Sequence, residues 1–236
     1  MSLPLLRWEV GGPYEVAFTT RIGGVSEGPF ESLNLGRRTG DDVEHVDENR
    51  RRLCAEVGAK EDRLTLGFQT HSTLVNRAEA GVRGTPGDGL WTDEPGTPML
   101  ALGADCALIA MARTNGSAPA LAVLHAGWRG LLDGIVESAA DILGSGFAAV
   151  VGPTIGPCCY EVGEQVAGPF EGRFGNGIVR NGKLDLWTAA ERAAYDAGAS
   201  TVERVDLCTR CNDDLFFSER RTGRPRGTQG VLGLVR

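Results

Sequence analysis

The feature that most restricts this chain is a series of short apolar runs in a sequence dense with glycine. Met99 to Leu102, Leu108 to Met111 and Ala120 to Leu124 are each too short for a helix of ordinary length and suit buried strands. The 34 glycines are spread over all 236 residues, which implies many tight turns and close backbone approaches. Val16 to Thr20, Arg63 to Gln69, Thr73 to Arg77, Ala148 to Val151, Val202 to Leu207 and Val231 to Val235 add further strands.

Helical period is confined to four places. Asp41 or Asp42 caps a helix through Val46, Asn49, Leu53 and Val57, stopped by Gly58. Leu131, Ile135, Ala139 and Ile142 share one face of a second, ended by Gly144. Tyr160 to Phe170 and Leu186 to Ala197 are the others. Strands outnumber helices and do not alternate strictly with them. The expectation is therefore α+β, a mixed-sheet sandwich rather than a doubly wound parallel sheet. With no repeat and no linker, residues 1–236 read as a single domain.

Charge narrows the function. Lys plus Arg number 24 against 31 Asp plus Glu, a formal charge of −7, which argues against a nucleic-acid surface. An anionic substrate would need a locally basic pocket. The N-terminus lacks the basic start and apolar run of a signal peptide, and no stretch approaches the roughly 20 apolar residues that cross a bilayer. A cytoplasmic protein without membrane contact is expected. Its six cysteines would stay reduced there, as packing groups, metal ligands or nucleophiles.

Of three histidines, His71 follows Phe68-Gln69-Thr70 and His125 follows Ala122-Val123-Leu124, both at strand ends. Cys106 ends the run from Ala101 to Asp105. Three such residues can converge at one rim of a sheet, and two imidazoles with one thiolate suit zinc with a fourth position open. The plainer alternative is two satisfied core histidines and a buried thiol. His45, in the polar run Asp42 to Asp47, reads as solvated. Cys208 and Cys211 form a C-x-x-C with Cys158 and Cys159 as the spare pair. A redox pair or second zinc site is one reading, unrelated thiols the simpler one. Arg21 and Arg129 stand beside glycine-rich turns, suited to a phosphate or carboxylate, or to surface salt bridges; Arg129 also starts a helix.

The segments Thr19 to Ser26, Ser32 to Gly36, Gln69-Thr70-His71, Asp88-Gly89-Leu90, Ala104-Asp105-Cys106, His125 to Gly130, Gly152 to Gly163 and Cys208 to Ser218 together resemble the YfiH-type family. That family carries the labels laccase-domain, multicopper polyphenol oxidase and purine nucleoside phosphorylase. The resemblance implies an αββα-type sandwich related to cysteine hydrolases, with zinc on His71, Cys106 and His125. It also implies phosphorolysis of adenosine, inosine and methylthioadenosine, and deamination of adenosine. Arg21 and Arg129 are then candidates to hold phosphate, and Asp105 to carry a proton or anchor a histidine. The Cys158-Cys159 pair belongs to the family motif, and close packing beside the glycine-rich turn is its simplest role. Alternatives from other classes are a copper-linked polyphenol oxidase and a hydrolase with Cys106 as nucleophile and His125 as base. Peptidoglycan precursor editing is a further possibility. Cys106 is followed by Ala107-Leu108 where the family often has a proline, and Glu219 stands where tyrosine is common. Both changes bear on the pocket wall. The oligomeric state is open.

Overall fold

The computed structural model describes residues 2–236. In chain order the strands are β1 (Leu5–Arg7), β2 (Tyr14–Thr19), β3 (Thr65–Phe68), β4 (Val75–Arg77), β5 (Arg83–Pro86), β6 (Gly89–Thr92) and β7 (Met99–Gly103). They continue as β8 (Ala107–Arg113), β9 (Leu121–Ala126), β10 (Phe147–Val151), β11 (Val179–Arg180), β12 (Lys183–Leu184), β13 (Ala199–Arg204) and β14 (Gln229–Val235). The helices are α1 (Val43–Glu56), α2 (Trp128–Asp133), α3 (Ile135–Leu143), α4 (Glu164–Phe174), α5 (Leu186–Asp196) and α6 (Glu219–Thr222).

Two mixed six-stranded sheets carry the fold. The first runs β1-β2-β14-β7-β3-β5 and the second β13-β10-β8-β9-β6-β4. Alternate residues of each central strand face different layers. On β8, Leu108, Ala110 and Ala112 meet Val16, Phe18, Met99 and Val231 of the first sheet. Ala107, Ile109 and Met111 face the other way, toward Leu131, Ile135, Ala139, Phe170 and Ala190 of the helices. The far face of the first sheet, through Ala17, Leu100, Leu232 and Leu234, is covered by Leu53, Cys54 and Val57 around α1. The result is the expected αββα sandwich, with one helix outside the first sheet and α2 to α5 outside the second. Strands covered on both faces need no polar alternation. This is why β9 and β14 are buried along their whole length.

Three expectations shift for local reasons. The single helix from Leu131 to Gly144 is broken at Gly134, whose φ of 103° is left-handed, so α2 and α3 meet at a bend. Leu143, not Ile142, completes its buried face. The helix placed at Tyr160 to Phe170 begins only at Glu164. Before it, Val162 N–H donates to Gly182 O (2.9 Å) and Leu184 N–H to Tyr160 O (2.9 Å), which holds the segment extended beside the β11–β12 hairpin. Val202 to Leu207 becomes β13, starting at Ala199, where pairing with β10 begins. The α1 prediction holds, with the Asp42 side chain accepting from Glu44 N–H at 2.8 Å. No helix among the described residues is long and apolar enough to cross a membrane.

Candidate active site

The chain passes from the first sheet to the second three times in succession, from β3 to β4, from β5 to β6 and from β7 to β8. Each crossing delivers one polar residue to the same place: His71, Asp88 and Cys106. The expected single sheet rim is therefore replaced by the gap between two sheets. His125 joins them from the end of β9, opposite Leu108 in the ladder with β8. The ligand atoms of His71, Cys106 and His125 all lie within 4.8 Å of one another. The two imidazoles stand edge to face, their centroids 5.0 Å apart. His125 is buried, Cys106 half-buried and His71 open to solvent, so the group has one accessible side.

Asp88 organises the group. Its carboxylate accepts from His71 N–H (2.9 Å), Thr70 N–H (2.9 Å), Ser72 N–H (2.7 Å) and Ser72 Oγ (2.8 Å). One of its oxygens also lies 2.8 Å from His125 Nδ1. Burial opposes the charge on Asp88, but the hydrogen bonds from His125, Ser72 and Thr70 outweigh it and hold the carboxyl well below its usual range. A carboxylate on Nδ1 leaves Nε2 of His125 for the centre, the arrangement that orients histidine ligands in metal sites. It also helps hold His71 in its left-handed backbone (φ 62°), which costs a non-glycine residue on the order of 1 kcal/mol.

Asp105, the expected proton carrier or histidine anchor, is turned elsewhere. It also has a left-handed backbone, φ 88°. Its carboxylate accepts from Thr209 Oγ1 (2.6 Å) and Arg220 N–H (2.7 Å), so it ties the Cys106 turn to the C-terminal region. Asp88 anchors the histidine instead. Sequence reading gave Asp88 no role; an acid between two glycines at the start of a buried strand was its signal.

Gly127 leaves room for the centre. A Cβ there would come within 2.6 Å of His71 Cδ2 and 3.3 Å of Cys106 Sγ. Burial disfavours charge on both Cys106 and His125, yet their mutual attraction prevails, aided at His125 by Asp88. The thiol is pushed below its ordinary value and the imidazole above its own. An ion of the right size would replace the shared proton.

The centre opens into a cleft of about 540 Å³. Its walls include Arg37, Arg38, Arg50, Arg83, Arg224 and Arg226, with Glu219 as the one carboxylate and Phe68, Leu66 and Leu102 as apolar surface. This is the locally basic pocket that an acidic chain needs for an anionic substrate. Arg50 spends its guanidinium on Leu35 O (2.9 and 2.7 Å), Arg83 on Glu61 (2.7 Å) and Arg226 on Glu219 (2.6 Å). Arg37 pairs with Asp47. Among the described residues, Arg38 and Arg224 donate no hydrogen bond; Arg38 lies over the Phe68 ring at 4.0 Å, and Arg224 stands 3.8 Å from Glu219.

The two arginines singled out from sequence do not line this cleft. Arg21 donates to Glu31 O (2.7 Å) and Asp213 O (3.0 Å) and covers Phe217, so it fastens loops together. Arg129 is exposed on α2 over Trp128. The basic lining comes instead from Arg37 and Arg38 after Gly36 and from Arg224 and Arg226 near the C-terminus. His45 is half-buried on α1, outside the ligand group. A separate cavity of about 630 Å³, beside Tyr14, Arg113 and Glu203, contains none of the ligand residues.

Residues 15–235 match the family model described as multi-copper polyphenol oxidoreductase laccase. A protein of Deinococcus radiodurans named purine nucleoside phosphorylase is 37% identical, over 100% of this chain and 94% of its own. Purine nucleoside phosphorylase YfiH of Escherichia coli is 33% identical, over 87% and 89%. The crystal structure of YlmD from Geobacillus stearothermophilus has a TM-score of 0.88 at 31% identity, covering 98% of this chain and 96% of that one.

Proposed function

The chain belongs to the YfiH-type, laccase-domain family, and from that premise we propose that it is a zinc-dependent purine nucleoside enzyme. Its reactions are phosphorolysis of adenosine, inosine and methylthioadenosine and deamination of adenosine, carried out at the cleft where three sheet crossings meet. The observation that carries the reading is the convergence of two imidazoles and one thiolate at the base of an arginine-walled cleft. The names of the relatives support the substrate class.

The donor set fits zinc: neutral imidazole and thiolate are its preferred partners, and three protein ligands leave a position open. Zinc held there would supply Lewis acidity and acidify water at neutral pH. Asp88 fixes the tautomer of His125 and the backbone of His71. Phosphorolysis forms a bond from a phosphate oxygen to the anomeric carbon and breaks the bond from that carbon to the purine nitrogen. Arg38, over the Phe68 ring, and Arg224, 3.8 Å from Glu219, donate no hydrogen bond among the described residues, and they take the phosphate role first given to Arg21 and Arg129. Phe68, 36% exposed, offers the purine apolar surface beside Arg38.

The two rival chemistries make different demands. A multi-copper oxidase needs imidazoles for several copper ions, and this chain has three histidines, with His45 away from the site. A Cys106–His125–Asp88 hydrolase has a satisfactory geometry, but it gives His71 nothing to do. The test is protein of measured metal content incubated with adenosine, with and without phosphate. Adenine and ribose 1-phosphate should form only with phosphate, and inosine in either case. Phenol oxidation with no nucleoside turnover, or full activity after complete metal removal, would overturn the reading.

A further inference from the structure

The four remaining cysteines outside α1 and the cleft gather at one point. Cys158 and Cys159 lie in the turn after Gly156, and Cys208 and Cys211 lie in a turn about fifty residues later. All four sulfurs fall within 4.8 Å of one another. Cys211 Sγ stands 3.6 Å from Cys158 Sγ and 3.4 Å from Cys159 Sγ. Unrelated packing thiols, the simpler sequence reading, would not be drawn together from two separate turns.

We propose that this cluster is a second metal site, distinct from the cleft, holding one zinc ion through four thiolates in a structural role. The spacing is the first argument. Sulfurs at the corners of a tetrahedron around zinc, with Zn–S near 2.3 Å, are about 3.8 Å apart. The Cys211 separations of 3.6 and 3.4 Å fall slightly short of that value and the other pairs stay within 4.8 Å, whereas a disulfide needs about 2.0 Å.

The second argument is the backbone around the sulfurs. Cys211 N–H donates to Cys208 O at 3.2 Å, so the C-x-x-C closes as a turn that presents both sulfurs on one side. Gly156 N–H points at Cys208 Sγ, 3.3 Å away, a bond that favours thiolate over thiol. The two turns are also joined by the Thr154–Cys208 bridge, with Thr209 N–H donating to Thr154 O at 3.2 Å, and through Asp105, which accepts from both Thr154 and Thr209. Cys208 is buried, Cys159 half-buried, and Cys158 and Cys211 face solvent, which gives the ion a way in.

The location gives the site a purpose. Thr209, inside the C-x-x-C, holds Asp105 at 2.6 Å, and Asp105 precedes Cys106 in the left-handed turn that delivers it. A zinc ion clamping the two cysteine turns would brace that turn without touching the cleft. Four protein ligands leave no open position, so the ion would do no chemistry.

The test counts metal and does not depend on turnover. Metal-free, reduced protein is titrated with cobalt(II) and zinc. Wild type should take up two equivalents, and Cys106→Ala should take up one, with the visible spectrum of tetrahedral all-sulfur cobalt. Cys158→Ser and Cys211→Ser, both at exposed positions, should each lose that spectrum and bind one equivalent fewer than wild type, with a lower Tm. If either serine variant fails to fold, the Cys106→Ala titration still reads the site. The proposal falls if Cys106→Ala binds no cobalt through sulfur. It falls equally if both serine variants keep two equivalents, or if freshly purified protein carries a disulfide among these cysteines.

Discussion

The two sulfur-bearing clusters are both tied to Asp105, which precedes Cys106 and accepts from Thr209 Oγ1, and they are built by different means. The cleft cluster takes His71 and Cys106 from two separate sheet crossings and His125 from the end of β9, mixes nitrogen with sulfur, and has a buried carboxylate behind it. The cysteine cluster comes from two surface turns, uses sulfur alone, and has only backbone N–H groups behind it. Three donors beside an arginine-walled cavity leave a place for substrate; four donors at the surface leave none. Ligand count and surroundings, more than the presence of cysteine, separate a site able to do chemistry from one that can only hold the chain together.

The contrast would break most sharply at Gly127. Gly127→Ala forces a methyl against His71 and the Cys106 sulfur. Metal binding in the cleft and activity should both fall at least about 100-fold, near 2.7 kcal/mol, while the cysteine cluster keeps its metal. Steady-state kinetics beside metal analysis checks this. Asp88→Asn comes next, because it keeps the shape but removes the charge that orients His125. A loss of about 10–100-fold in metal affinity or activity is the usual size of such a change, read by competition with a chelator. Tm should also fall, since Thr70, His71, Ser72 and His125 all converge on the same carboxylate.

How far these sites were legible in the sequence follows the range of the interactions. The strands were readable because burial on both faces leaves unbroken apolar runs, as in β8 and β9. The start of α1 was readable because Asp42 caps it locally. His71, Cys106 and His125 stood out as scarce residue types at strand ends. That Arg38 and Arg224 share one cavity was not readable, since the packing of loops some 190 residues apart decides it. Arg21 and Arg129 are conspicuous in the sequence because glycine-rich turns stand beside them, a local feature that says nothing of the cavity. That the C-x-x-C and the Cys158-Cys159 pair meet is decided by the same kind of packing, which is why the sequence alone left a second zinc site and unrelated thiols both open.

A smaller effect sharpens the electrostatic side of the comparison. Arg38→Ala should weaken phosphorolysis about tenfold, near 1.4 kcal/mol, and deamination less, because only the first reaction binds phosphate. Arg129→Lys, on the exposed face of α2, should change both by less than twofold. Initial rates of the two reactions, measured on one preparation across a range of phosphate concentrations, check the pair. A larger loss of phosphorolysis for Arg129→Lys than for Arg38→Ala would return the phosphate to the position first inferred from sequence.

The central claim is that the chemistry belongs to His71, Cys106 and His125 and to no other group of donors in the chain. The most direct measurement is Cys106→Ala, assayed for bound metal and for adenosine turnover in the same sample. One equivalent of metal should be lost, the equivalent at the four cysteines should remain, and turnover should drop below detection in both reactions. Wild-type metal content with undiminished turnover in that variant would contradict the account.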